Sequence, residues 1–121
     1  MNSKKIIVIG GSAAGPKAAS RARRLDENAN ITLYQKASDL SMASCGYPYY
    51  IGGFFNDRNQ LLCSPSGVVR DSKFFLNAKN INAVVNTEVT AIDRKNKRIE
   101  FTNLLTGEKG SDTYDKLVIA T

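Results

Sequence analysis

The 121-residue chain contains no histidine. Its absence removes the commonest general base and the commonest metal ligand available near neutral pH. Cysteine is scarce too. Cys45 and Cys63 lie 18 residues apart, a separation that is neither C-x-x-C nor a zinc-type pattern. A structural disulfide between them is compatible with the sequence, but nothing else marks an exported chain. Long apolar runs are missing: the run at 6–9 is too short for a signal-peptide core or a membrane span. The reading is therefore a soluble, cytoplasmic protein, with no internal repeat or low-complexity tract. Acidic residues are outnumbered, 11 against 17 lysines and arginines, for a net charge of +6. An excess of this size suits an anionic partner: nucleic acid, a membrane surface or a phosphorylated small molecule.

The length allows one domain with a modest core. Residues Lys5–Ile9 form a β-branched, continuously apolar run, the pattern of a strand buried on both faces of a parallel sheet. Gly10-Gly11-Ser12-Ala13-Ala14-Gly15 follows, then a helical pattern to about Leu25. Ala14, Ala18, Ala22 and Leu25 predict one apolar stripe of small residues along this helix, and Pro16 fits its first turn. A second strand at 31–34 completes a β-α-β unit. A loop at 36–44, a short helix at 45–53, an irregular stretch at 54–67 that includes Pro65, and a helix at 69–79 come next. The spacing then predicts a strand at 83–86, strands Thr87–Asp93 and Arg98–Asn103 joined by a polar turn, and a short strand at 112–114. This second half reads as a small antiparallel meander. A buried-type strand at 116–120 ends the pattern. Ligands of α/β proteins bind at such strand ends, and no helix follows Thr121, so the expectation is the front part of a longer protein.

The glycine turn has a functional and a bland reading. In a dinucleotide-binding turn, backbone N–H groups at a helix N-terminus receive a pyrophosphate. Gly10 and Gly15 fit the first and third positions of G-x-G-x-x-G, with Ser12 at the second, where its hydroxyl can meet a phosphate. The alternative is a glycine-rich turn without a ligand. A carboxylate is expected at the end of the second strand to accept ribose hydroxyls, and Gln35 followed by Lys36 stands there. Gln35 either accepts as an amide or is a surface residue.

Cys45 lies in Ser41-Met-Ala-Ser44-Cys45-Gly-Tyr-Pro48. A redox thiol works as its thiolate, which helix N-termini and nearby cations favour. Cys45 stands at the predicted helix start, with Pro48 in the first turn. The competing reading is a buried structural cysteine. Cys63, with no such frame, reads as a small hydrophobe. Lys17, Arg21 and Arg24 are spaced four and three, so they share one helical face near the glycine turn. That face suits phosphates, nucleic acid or plain solvent, and the lack of a recognition motif and of interleaved aromatics argues against nucleic acid.

The stretches Ile7 to Leu25 with Arg23-Arg24-Leu25-Asp26-Glu27, Ser41 to Gly53, and Asn86 to Asp93 with Leu117 to Thr121 resemble the single-cysteine FAD-dependent pyridine nucleotide-disulfide oxidoreductases. Coenzyme A-disulfide reductase is the nearest branch, with NADH oxidase and NADH peroxidase beside it. The resemblance implies an α/β fold: a three-layer, Rossmann-like FAD-binding domain with a parallel sheet and an antiparallel meander, incomplete at its C-terminus. It implies NAD(P)H-binding and dimerisation domains elsewhere in a homodimeric enzyme. It implies electrons passing from NAD(P)H through FAD to Cys45, which reduces coenzyme A disulfide or a related persulfide or polysulfide. FAD would meet Gly10, Gly11, Ser12, Ala13, Gly15, Gln35, Lys36, Val89, Ala120 and Thr121. Coenzyme A would meet Lys17, Arg21, Arg24, Ser41, Ser44 and Lys79. The small-molecule disulfide is then the partner, with no nucleic acid and no membrane. Where the oxidase and peroxidase branch carries a histidine in the glycine turn, this chain has Ala13, which disfavours peroxide reduction. Gln35 departs from the family's glutamate and Ser44 from an asparagine, and the segment at 64–73 is longer than the family pattern. The remaining alternatives are an NADH oxidase and a non-catalytic nucleotide-binding module.

Overall fold

Alternation along one central strand organises the molecule. The computed structural model describes residues 3–64 and 67–121; Pro65, expected in an irregular stretch, lies outside the described residues. Strand β1 (Lys5–Ile9) sends Val8 to one face, and Ile7 and Ile9 to the other, as the period of two requires. Both faces are covered. β1 pairs in parallel with β2 (Asn30–Tyr34) on one side and β7 (Lys116–Ile119) on the other, while β3 (Asn82–Val84) extends the sheet to the order β3-β2-β1-β7.

On one face Val8, Ile31, Leu33 and Ala83 meet Ala19 of α1 (Ala14–Leu25) and Phe75 of α3 (Ser72–Lys79). On the other, Ile7, Ile9 and Tyr34 meet a three-stranded antiparallel meander, β4 (Thr87–Asp93), β5 (Arg98–Asn103) and β6 (Lys109–Thr113), through Ile99, Phe101 and Val89. The result is three layers: helices, parallel sheet, meander. Ile7, Val8 and Leu33 are fully buried, each contributing roughly 1.5–3 kcal/mol of apolar transfer.

Several expectations change in the folded chain. The buried face of α1 is Gly15, Pro16, Ala19 and Ser20; of the expected stripe Ala14, Ala18, Ala22 and Leu25, Ala22 packs partly against the core, while Ala14 and Leu25 are exposed. The helix is oriented by its C-terminal anchor. The Arg23 guanidinium donates to the carbonyls of Asp26, Glu27, Lys79 and Asn80, tying the end of α1 to the end of α3. The predicted helix at 45–53 divides into a 3₁₀ turn, Ser44–Gly46, and a short helix α2, Tyr47–Ile51, with Pro48 in its first turn. Within 54–67, Arg58–Leu61 makes another 3₁₀ turn. α3 starts at Ser72, because the Asp71 carboxylate caps it by accepting the Phe74 N–H at 2.9 Å, a strong N-terminal stop. β3 ends before 86, where Asn86 turns through φ 53°. β6 starts earlier than expected because it follows the register of β5, with Thr102 opposite Lys109. No helix among the described residues is long and apolar enough to cross a membrane.

One polar network lies between the sheet and the meander. The Tyr34 hydroxyl donates to Asp112 Oδ2 at 2.8 Å, the Lys5 ammonium pairs with Asp112 Oδ1, and the Tyr34 ring stacks on Phe101 with centroids 5.1 Å apart. Burial opposes the charge on Asp112, but the Lys5 ammonium, the Tyr34 hydroxyl and the Thr113 N–H together hold its carboxyl below the usual carboxylate range. A carboxyl lowered on folding stabilises the protein above its ordinary titration range, and that stability is lost as pH falls through the lowered value. Acid unfolding followed by circular dichroism should show this loss, and Asp112→Asn should flatten the acid limb while lowering stability at neutral pH.

Candidate functional site

Two cavities open at the C-terminal end of the parallel sheet, on either side of the turn after β1. The turn is held by backbone against backbone. Gly10 has φ +106°, and a Cβ there would lie 2.2 Å from the Ala120 carbonyl oxygen; a Cβ on Gly15 would lie 1.7 Å from the Gly10 carbonyl oxygen. Only glycine fits either position. No side chain caps the N-terminus of α1, and its first turn holds no acidic residue, so its N–H dipoles face an anion without competition.

The first cavity, about 260 Å³, is lined by Gly10, Ser12, Tyr34, Gln35, Lys36, Thr87, Glu88, Val89, Ala120 and Thr121, together with Ile9. It gathers most residues expected to meet FAD. Ala13 lines the second cavity instead, and Gly11 and Gly15 line neither. Gln35 is neither the solvent-facing residue of one reading nor a free acceptor. It is buried, its Oε1 accepts the Gly11 N–H at 3.0 Å, and its Nε2 donates to the Asp39 carbonyl at 3.0 Å. The amide serves as a bridge inside the turn. The carboxylate at this cavity is Glu88, paired with Lys36 at 3.5 Å, which the sequence reading missed. A narrow glycine cradle, an uncapped helix end and an adjoining cleft fit a dinucleotide such as FAD.

The second cavity, about 390 Å³, contains Cys45. It is also lined by Ser12, Ala13, Lys17, Ser20, Arg24, Ser41, Arg70, Phe75 and Lys79, besides Pro16, Met42 and Ala43. Cys45 is exposed and neither cysteine is in a disulfide; Cys63 is half-buried. The reading of Cys45 as a buried structural residue is therefore excluded, as is a Cys45–Cys63 bridge. Ser41 adopts a left-handed conformation (φ 55°), and its N–H donates to the Gly11 carbonyl at 2.7 Å, which fastens the cysteine loop to the glycine turn. Lys17 and Arg24 reach the cavity from α1 and Lys79 from α3. Arg21 and Ser44 are exposed and do not line it. Arg70 was not anticipated, because the helix expected from residue 69 starts only at Ser72, which leaves Arg70 in the loop before α3.

The electrostatics of this cavity are one-sided. No carboxylate among the described residues lines it. Burial first, then the charges of Arg24, Arg70 and Lys17, hold the Lys79 ammonium below its ordinary value, and Lys79 Nζ donates to Ser20 Oγ at 3.0 Å. Cations gathered without counter-charge make a receptor for a polyanion. No group of three or more metal-ligating side chains is found among the described residues.

Comparison with known proteins agrees with this geometry. A profile of the family described as pyridine nucleotide-disulphide oxidoreductase matches residues 4–121. The coenzyme A disulfide reductase of Staphylococcus haemolyticus is 38% identical over 117 residues, 97% of this chain and 25% of that protein. Among solved structures, an NAD-dependent persulfide reductase from A. fulgidus is 42% identical with a TM-score of 0.92, over 97% of this chain and 21% of its own. Reduced Bacillus anthracis CoADR-RHD is 34% identical with a TM-score of 0.87, over 98% of this chain and 20% of its own. The chain thus spans about a quarter of the length of the curated relatives it matches.

Two outcomes follow from the geometry. Gly15→Ala should destabilise the chain by about 1–3 kcal/mol in denaturant titration, because backbone must move to admit the methyl group. Lys79 has its pKa lowered on folding, so the unfolded chain binds more protons as pH rises, and stability increases through the lowered value toward the ordinary lysine range. The thermal midpoint in low salt should therefore climb as pH rises toward the ordinary lysine range, and Lys79→Gln should remove the climb.

Proposed function

The chain belongs to the pyridine nucleotide-disulphide oxidoreductase family, and on that premise we propose that it is the N-terminal part of the FAD domain of an NAD(P)H-dependent reductase of coenzyme A disulfide. The observation that carries this reading is the shared cavity: the exposed Cys45 sulfur and the cations Lys17, Arg24, Arg70 and Lys79 line one space. A carrier thiol with several phosphates would bind its charged end to the cations and present its sulfur to Cys45.

The chain's residues divide the work. Gly10 and Ser12 would hold the FAD pyrophosphate region and Lys36, Glu88 and Val89 its nucleoside end, with Gln35 keeping the turn in shape. When bound, the flavin supplies a two-electron relay between nicotinamide and sulfur. The Cys45 thiolate attacks one sulfur of the disulfide, forming a Cys45–coenzyme A mixed disulfide and releasing one coenzyme A thiolate. Two electrons, originating in NAD(P)H, then cleave the mixed disulfide, releasing the second coenzyme A thiolate and restoring the Cys45 thiolate. The overall balance is one NAD(P)H and one proton consumed, and one NAD(P)⁺ and two thiols formed. Ser41 and Lys79 would orient the substrate, and solvent exposure at Cys45 admits it.

The similarity to the A. fulgidus persulfide reductase favours coenzyme A persulfide as a second substrate. Cys45 attack on the sulfur attached to the carrier expels hydrosulfide and reaches the same mixed disulfide, so both substrates use one cysteine and one reductive step.

In the full-length enzyme, Cys45→Ser should retain the flavin absorption band and lose disulfide reduction by about a thousandfold or more. The native Cys45 peptide, isolated under non-reducing conditions after exposure to coenzyme A disulfide, should carry a coenzyme A adduct by mass that reductant removes. Undiminished turnover in the serine variant would remove Cys45 from the mechanism.

A further inference from the structure

Arg70 is the one cation of the cysteine cavity that belongs to no helix face. It sits just ahead of α3 and is half-buried. Its guanidinium is held by main chain. Nε donates to the Leu62 carbonyl at 3.3 Å and Nη2 to the Cys63 carbonyl at 2.9 Å. The Arg70 N–H also donates to the Leu62 carbonyl, at 3.0 Å. A guanidinium so anchored loses little freedom when it takes an anion on its remaining edge.

Its charge is not neutralised by neighbours. Asp71, the next residue, turns its carboxylate into the cap of α3. The ion pairs found among the described residues are Lys5–Asp112, Lys36–Glu88 and Arg58–Asp39, and they use none of the cavity's cations. Arg70 therefore lines one space with Lys79 and Arg24, and no carboxylate among the described residues lines it. Like charges converging there repel one another until an anion arrives.

We infer that Arg70 is a specificity-determining residue, which binds a phosphate of the substrate's carrier and makes the cavity prefer a phosphate-bearing disulfide over a neutral disulfide with the same thiol arm. The inference rests on the reading of this cavity as the coenzyme A site. It adds that selection is made by a loop residue of this chain, beside the helix cations.

The test is a pair of substrates assayed with the full-length enzyme. Coenzyme A disulfide carries the phosphates, and pantethine carries the same thiol arms without them. Arg70→Gln should raise KM for coenzyme A disulfide about tenfold or more, with kcat nearly unchanged. It should leave kcat/KM for pantethine unchanged and weaken the salt dependence of KM. Arg70→Lys should restore part of the loss. A KM for coenzyme A disulfide unchanged in Arg70→Gln but raised in Arg24→Gln overturns the role of Arg70 and leaves the cavity reading intact. An equal loss on both substrates makes Arg70 a purely structural residue and also overturns it. Native enzyme that fails to prefer coenzyme A disulfide over pantethine overturns the cavity reading, and the inference with it.

Discussion

The contact on which the rest of the structure depends is the approach of bare backbone to bare backbone at the end of β1. Gly10 lies against the Ala120 carbonyl, and Gly15 against the Gly10 carbonyl, at distances that leave no room for a methyl group. This contact sets where β7 ends beside β1 and where α1 begins. The same turn holds Ser41 through the Gly11 carbonyl and Gln35 through the Gly11 N–H. One glycine-rich turn thereby fixes the first cavity on one side and the cysteine cavity on the other, and Ser12 lines both. A redox cysteine must lie close to its electron source, and in the function proposed above the shared wall would keep Cys45 and the flavin together.

Charge is distributed with similar economy. Asp112 faces Lys5 and Tyr34 at the seam between sheet and meander, and Glu88 faces Lys36 at the cleft. The cysteine cavity receives cations and, among the described residues, no carboxylate. Burial, and then the charges of Arg24, Arg70 and Lys17, lower the pKa of Lys79, and a multiply charged ligand would offset the repulsion among these cations. Binding and stability are linked at that point: the charges that repel one another in the protein are those that would hold a polyanionic ligand.

Much of this was legible in the chain, and the failures have definite causes. β1 and the two long strands of the meander follow from alternation and from β-branched runs, and local signals sufficed there. The buried face of α1 did not follow from its alanines, because Arg23 clamps the helix end to α3 and decides its rotation. Gln35 could be assigned to the end of β2 but not to its bridge between Gly11 and Asp39, since that depends on how the loop after β2 folds back. Arg70 read as part of a helix from residue 69, but it precedes α3, and its part in the cavity depends on the carbonyls of Leu62 and Cys63.

By itself the sequence determined the order of strands and helices, the glycine turn, and the presence of one cysteine in a loop suited to redox chemistry. These are properties of short segments, settled by steric limits on backbone and by the periods of strand and helix. Tertiary structure alone decided that Cys45, Ser41 and cations from α1, α3 and the loop before α3 line one cavity, and that Arg21 and Ser44 stay outside it. Those residues lie up to 62 positions apart, from Lys17 to Lys79. Only the packing of α1 and α3 on a common face of the sheet brings their charges within reach of one anion.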